Sequence, residues 1–337
     1  MRDRRGIELL LSAQLARLVP TTASDWGVNE EALKCLINSV FSRPDFVAQH
    51  VVPNGQLSQL LEVAKLPGPA SFHVLVWKCV LVSCEAPCVI AFLRQSSKAW
   101  ELLYTTLHFS FHGDSLFGVA TTSDRSALVL DLLKLVAVLA SAMKWTKEAE
   151  DAQPELYAIV HRLGELLLGI LRATHPKISR LNAPLLDIKN KVLEVFMFVP
   201  AWLLTDFIER QQLREEADHT DHHADAFQVS ILQALVLHLQ TMLLVTRVEK
   251  IRQFSEVLPT LIVCHNLTQT AKPHVTKFFK SAIFPDVAGA TAKSPESVEL
   301  EKETRFFFKH LTFFLTCLDM NVKRYAGEWL FLLCDQN

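Results

Sequence analysis

Apolar residues recur at helical spacing along almost the whole chain, and that periodicity leaves little room for anything but an all-helical fold. Leu33, Leu36, Ile37, Val40 and Phe41 follow i, i+3, i+4, i+7, i+8, the buried stripe of one helix. Leu128, Leu132, Leu135 and Leu139 mark a second stripe. Leu163, Leu166, Leu167, Ile170 and Leu171 mark a third, and Ile231, Leu235, Leu239 and Leu243 a fourth. Asn29 precedes Glu30 and Glu31, so the first helix is expected to open with Asn29 as its N-cap, with both carboxylates suited to the helix dipole. Ser123 or Asp124 opens the second. Prolines such as Pro44, Pro87, Pro154, Pro200 and Pro273 fall between the runs, at helix ends or first turns, where the missing N–H is tolerated. Glycine is scarce, 10 in 337 residues, and β-branched alternation is lacking, which argues against a hairpin-built sheet.

The stretch 304–337, TRFFFKHLTFFLTCLDMNVKRYAGEWLFLLCDQN, shows the unit at its clearest. Two apolar runs are parted by a short polar break, and the second, from Asp319, starts with the cations Lys323 and Arg324. Two packed helices per unit describe a helical repeat, and helix pairs recur here at about 40–50 residues, near armadillo and HEAT spacing. The expected fold is all-α: an armadillo/HEAT-like right-handed helical solenoid forming a single domain over residues 1–337. Two stretches lack the period and read as exposed loops, 214–225 (REEADHTDHHAD) and 286–303 (DVAGATAKSPESVELEKE).

A formal net charge of −2 gives no support for a nucleic-acid binder. The charged start Met1-Arg2-Asp3-Arg4-Arg5 lacks the apolar core of a signal peptide. Phe72 to Leu93 comes nearest to a membrane span but is interrupted by Lys78, Glu85 and Pro87, so no integral membrane segment is expected. Seven cysteines, an odd number set mostly in apolar helical patterns, fit a reduced cytoplasmic protein.

No G-x-G-x-x-G, Walker loop, G-x-S-x-G or H-E-x-x-H occurs, so neither covalent catalysis nor a cofactor is expected. His219, His222 and His223, with Asp218, Asp221 and Asp225, have ligand chemistry. They lack a distant ligand pair, so a solvated loop outweighs a metal site or a metal-dependent enzyme. Cys79, Cys84 and Cys88 cluster on a helical hairpin without C-x-x-C and read as buried structural thiols. His108 and His112, at i and i+4, flank a helix end. Asn38 lies one turn from Lys34. On the inner helix of a two-layer solenoid its carboxamide would bond the backbone of a bound segment, and spacing alone equally allows a solvent-facing or capping role. Lys34, Lys134, Lys191, Lys323 and Arg324, read at helix ends, most often form a solvated face. Several of them on one concave surface would favour an acidic or carboxylate-ended partner.

The segment Val322 to Cys334, VKRYAGEWLFLLC, resembles the VKR-x-AAEFLFVLC signature of the synembryn (resistance to inhibitors of cholinesterase) family. Leu258 to Pro285 resembles that family's helix pair ending in KFL-x-x-x-VLPPL, and Glu31 to Asn38 resembles its EALKCLCN helix. Leu132 to Leu135 and Leu193 to Pro200 fall where further repeats belong. The resemblance spans nearly the whole chain and is most specific at its two ends. It implies a cytoplasmic, monomeric armadillo-like protein with recruitment to the cell cortex. It also implies a partner, the G-protein alpha subunit in its GDP-bound or nucleotide-free form, with the partner's C-terminal helix gripped in a concave groove. The implied activity is that of a folding chaperone and receptor-independent guanine-nucleotide exchange factor. The partner-binding residues it suggests are Asn38, Lys34, Lys134, Lys323 and Arg324. Val138 and Phe198 stand where the family carries groove asparagines, and Asn38 alone keeps the polar group. That exchange motivates a second expectation, a generic armadillo-type adaptor for another peptide, without exchange activity. The family pattern extends before Met1 and beyond Asn337, so the chain is expected to be a fragment lacking both ends.

Overall fold

The computed structural model describes residues 25–42, 47, 55–66, 68–112, 122–173, 183–218, 231–270, 272–284 and 307–335. Among these residues the regular structure is helical and there is no strand, so the protein is all-α. The chain divides into two compact units, Met1–Leu163 and Gly164–Asn337.

In the first unit, α1 (Asp25–Ser42), α2 (Gln56–Val63), α3 (Ala70–Ser83), α4 (Pro87–Gln95), α5 (Ser97–His112), α6 (Thr122–Ala142) and α7 (Lys147–Ala152) precede α8 (Pro154–Arg172). The central element is α3, which packs on α1 and on α6, while α4 and α5 also pack on α6. Leu33 and Val40 of α1, Phe72, Val76, Trp77 and Val80 of α3, and Leu128, Leu132, Leu135 and Leu139 of α6 are all buried. Removing such side chains from water is the main force joining these helices. Polar contacts fix their placement. Ser71 of α3 donates to Glu30 Oε1 of α1 at 2.5 Å. Arg94 Nη1 donates to the carbonyl of Ala142 at 2.8 Å, satisfying an orphan acceptor at the end of α6. The run from Phe72 to Leu93 is not one rod: α3 and α4 meet at 115°, with Pro87 at the start of α4.

In the second unit, α9 (Ala183–Phe196), α10 (Ala201–Asp218) and α11 (Ile231–Leu243) are followed by a π turn (Leu244–Val248) and a 3-10 turn (Phe254–Val257). After them come α12 (Leu258–Gln269), α13 (Pro273–Ile283), helical residues 307–313, a 3-10 turn (Phe314–Thr316) and α14 (Met320–Asp335). Here α12 is central, with α9, α10, α11 and α14 against it. The buried Trp329 of α14 donates its indole N–H to Thr268 Oγ1 of α12 at 2.9 Å and meets the Phe279 ring edge-on at 5.4 Å. Asp319 caps α14, accepting from the N–H groups of Asn321 at 3.0 Å and Val322 at 3.1 Å. Ile231–Val248 is long and apolar enough by length and composition to cross a membrane, and 61% of it is buried within the protein, as a core helix is.

Several local expectations are corrected. Asn29 does not cap α1: the helix begins at Asp25, and Asn29 lies inside it, buried, with its Nδ2 lacking a hydrogen-bond partner among the described residues. Phe41 is 73% exposed, because eight residues beyond Leu33 it has rotated about 80° from the stripe. Residues 214–218 belong to α10 rather than a loop. Positions 219–225, with His219, His222 and His223, and positions 286–303 lie outside the described residues. Lys34, Lys134 and Lys191 stand in mid-helix, not at helix ends; Lys323 and Arg324 do lie near the start of α14.

Candidate partner-binding face

The structure brings Lys34 and Asn38 together on the solvent side of α1, one turn apart, because Leu33, Ile37 and Val40 turn the opposite side into the core. Lys34 is held at 2.6 Å by Glu31, and that bonded carboxylate raises the ammonium pKa above its ordinary value. The Asn38 carboxamide is exposed, while its backbone carbonyl accepts from Ser42 Oγ at 2.8 Å. Lys134 is exposed on α6 and bonds Asp131 at 2.7 Å. It is not beside Lys34, since α3 packs against both α1 and α6.

Lys323 and Arg324 belong to the second unit, exposed on α14. Arg324 Nε donates to Glu328 at 2.8 Å, which raises the guanidinium pKa, and its charge lies 5.5 Å from the Tyr325 ring centre. Glu328 is also 3.7 Å from the buried His265, whose ring meets Tyr325 edge-on at 5.6 Å. Phe198 is 42% exposed, and Val138 is half-buried one turn beyond Lys134.

A cation overlooked in the sequence is Lys78 of α3. It is exposed and forms no ion pair among the described residues. The signal was present: Leu33-Lys34, Trp77-Lys78 and Leu133-Lys134 each set a fully buried apolar residue directly before an exposed lysine. It went unread because Lys78 looked like an interruption in an apolar run.

The remaining groups suit structural roles. The buried thiols of Cys79 and Cys84 are each pushed up to about 12 by burial, and the Cys264 thiol is pushed up as well. The His108 and His112 rings meet at the end of α5, tilted by 48° with centres 4.7 Å apart. A cavity of about 210 Å³ in the first unit, where Arg94, Lys144, Gln153 and Tyr157 meet, contains none of the five residues discussed above. Among the described residues, no group of three or more His, Cys, Asp or Glu side chains could hold a metal ion.

The packed helices of the two units define, as a class, an all-α protein. Residues 1–337 match the family described as guanine nucleotide exchange factor synembryn, and the chain belongs to that family. No curated protein matches the chain.

Proposed function

We propose that the protein binds G-protein alpha subunits in their GDP-bound or nucleotide-free form, acting as a folding chaperone and receptor-independent guanine-nucleotide exchange factor. The family match over the whole chain carries this reading. Both units share one plan, three helices in series with a central one: α1, α3 and α6 in the first, α9, α12 and α14 in the second. Such stacking within each unit supports armadillo/HEAT-like repeat packing, and we read the protein as a cytoplasmic monomer. The exposed Lys34, Asn38, Lys134, Lys323 and Arg324 supply cations and a carboxamide for the carboxylate-ended C-terminal helix of the alpha subunit. The mechanism is a population shift. A surface that holds the alpha subunit with its C-terminal helix drawn away stabilises the open, nucleotide-free state, and no covalent step is needed.

The test is the rate of GDP release from a purified alpha subunit with and without the chain, beside binding of a fluorescent peptide of the alpha C-terminal helix and a scrambled control. Accelerated release with saturable binding to the native peptide supports the proposal. Peptide binding without faster release supports the second reading, an adaptor without exchange activity. The apolar side chains of Val138, half-buried in the first unit, and Phe198, exposed in the second, are the observation that favours this alternative.

A further inference from the structure

Turns from separate parts of the first unit converge on one cavity of about 210 Å³. Arg94 and Gln95 close α4, Lys144 follows α6, Gln153 joins α7 to α8, and Tyr157 lies in the first turn of α8. Aromatic donors fix the backbone at this wall. The buried Tyr157 donates its hydroxyl to the Lys144 carbonyl at 2.8 Å. Trp145 donates its indole N–H to the Ala140 carbonyl at 3.0 Å, and Trp100 donates to the Arg94 carbonyl at 3.3 Å. Arg94 Nη1 in turn bonds the Ala142 carbonyl at 2.8 Å, which ties the end of α4 to the end of α6. The main chain carrying both cations is therefore set in place before a ligand arrives.

The charges at this cavity do not balance. Among the described residues no acid lines it, and neither the half-buried Arg94 nor the exposed Lys144 pairs with a carboxylate. The acids flanking the lining residue Ala149 are engaged elsewhere. Glu150 is 2.9 Å from Lys147 and 3.3 Å from His161, and Glu148 is bonded by the Thr146 hydroxyl. A guanidinium bonded to a neutral carbonyl keeps its full charge and has N–H donors to spare. Two cations and the carboxamides of Gln95 and Gln153 thus share a space without a counter-charge. The guanidinium fork meets two oxygens of an oxyanion at once, and the ammonium supplies a second charged donor. Two positive charges match a dianion better than a single carboxylate.

The geometry points to a phosphate-binding site at this cavity, with Arg94 and Lys144 as charged donors and Gln95 and Gln153 as neutral ones. Its ligand is a small tetrahedral oxyanion, either free phosphate or the phosphate group of a small monoester. The cavity exceeds several-fold the roughly 30 Å³ that a water occupies in the liquid, so a phosphate group fits. A phosphate bound there joins the end of α4 to the segments after α6 and α7, and it stabilises the folded first unit by binding it alone. The site shares no residue with the candidate partner-binding face and stands independently of the proposed function.

The experiment is equilibrium dialysis of radiolabelled inorganic phosphate against the full chain, in chloride buffer of fixed ionic strength. Wild type is expected to bind about one equivalent with a Kd of about 1 mM or tighter. Lys144→Gln removes a charged donor and Gln153→Glu adds an acid, both at exposed side chains, and each is expected to weaken binding by about tenfold or more. Arg94→Gln is expected to abolish it. That variant also loses the bond to Ala142, so circular dichroism and melting temperature verify folding, and if it is unfolded the other two variants decide. Lys65→Gln is the control, a surface lysine already bound to Glu62 at 2.6 Å, and is expected to change binding by less than about twofold. Competition with unlabelled glycerol 3-phosphate separates the two ligand sources. Displacement shows that a monoester enters, and its absence restricts the site to free phosphate; either supports the inference. No saturable binding up to about 10 mM phosphate overturns it. So does unimpaired binding by folded Lys144→Gln and Gln153→Glu, or an equal loss with Lys65→Gln.

Discussion

Single side chains set both the acid sensitivity of the second unit and the polarity of the candidate face. His238 is buried on α11, and its Nε2 has no hydrogen-bond partner among the described residues. Burial, helped by the charge of Lys189, lowers its pKa from 6.5 to about 3. The unfolded chain therefore takes up a proton below pH 6.5 that the folded chain refuses. This stability is complete above pH 6.5 and is lost as pH falls toward 3, by up to about 1.4 kcal/mol per pH unit. Melting temperatures at pH 7.5 and 5.0 are expected to show a smaller acid-induced drop for His238→Leu than for wild type; equal drops would assign the sensitivity elsewhere. Asn38 is the polar counterpart on α1. If its carboxamide bonds the alpha-subunit helix, Asn38→Ala is expected to weaken peptide binding by roughly 1 kcal/mol. Unchanged affinity in the anisotropy titration removes it from the site.

Helix contacts decide what a glycine is worth. Two glycines in α8 look alike in the sequence. A Cβ on Gly164 would lie 2.5 Å from Cε2 of the buried Phe207 of α10, whereas one on Gly169 would meet nothing within 4 Å. Gly164→Ala forces Phe207 to move, an overpacking cost of about 1–3 kcal/mol that outweighs the helix-propensity gain. Gly169→Ala keeps that gain and is expected to stabilise by up to about 1 kcal/mol. Denaturation midpoints moving in opposite directions would bear this out; both moving up would show that Phe207 yields freely. The same dependence on contacts explains α1. Its stripe was legible as Leu33, Ile37 and Val40, but its start was not, because the helix continues upstream and buries the residue that looked like its cap.

Across the whole molecule, the seven cysteines are free thiols sorted by depth. Cys35 and Cys334 are exposed, while Cys79, Cys84 and Cys264 are buried with raised pKa values. A thiol reagent at neutral pH is expected to modify Cys35 and Cys334 rapidly in the native protein and to reach Cys79, Cys84 and Cys264 only after unfolding. Mass-spectrometric mapping reads this directly, and rapid labelling of Cys79 or Cys264 would mean that the core opens readily. The proposed exchange activity belongs to the same scale, since the proposal has many helices holding one partner state better than another.

The sequence by itself determined the helical class and most of the buried stripes, because a 3.6-residue period is a local property that any reader of the chain can follow. Its resemblance to the synembryns was likewise legible at both ends, and the family match agrees with it. Tertiary structure decided which helix stands at the centre of each unit, which lysines are already paired and which is not. It also decided which glycine touches a ring. These depend on residues far apart in the chain being packed together, and no local period records which helix lies against which.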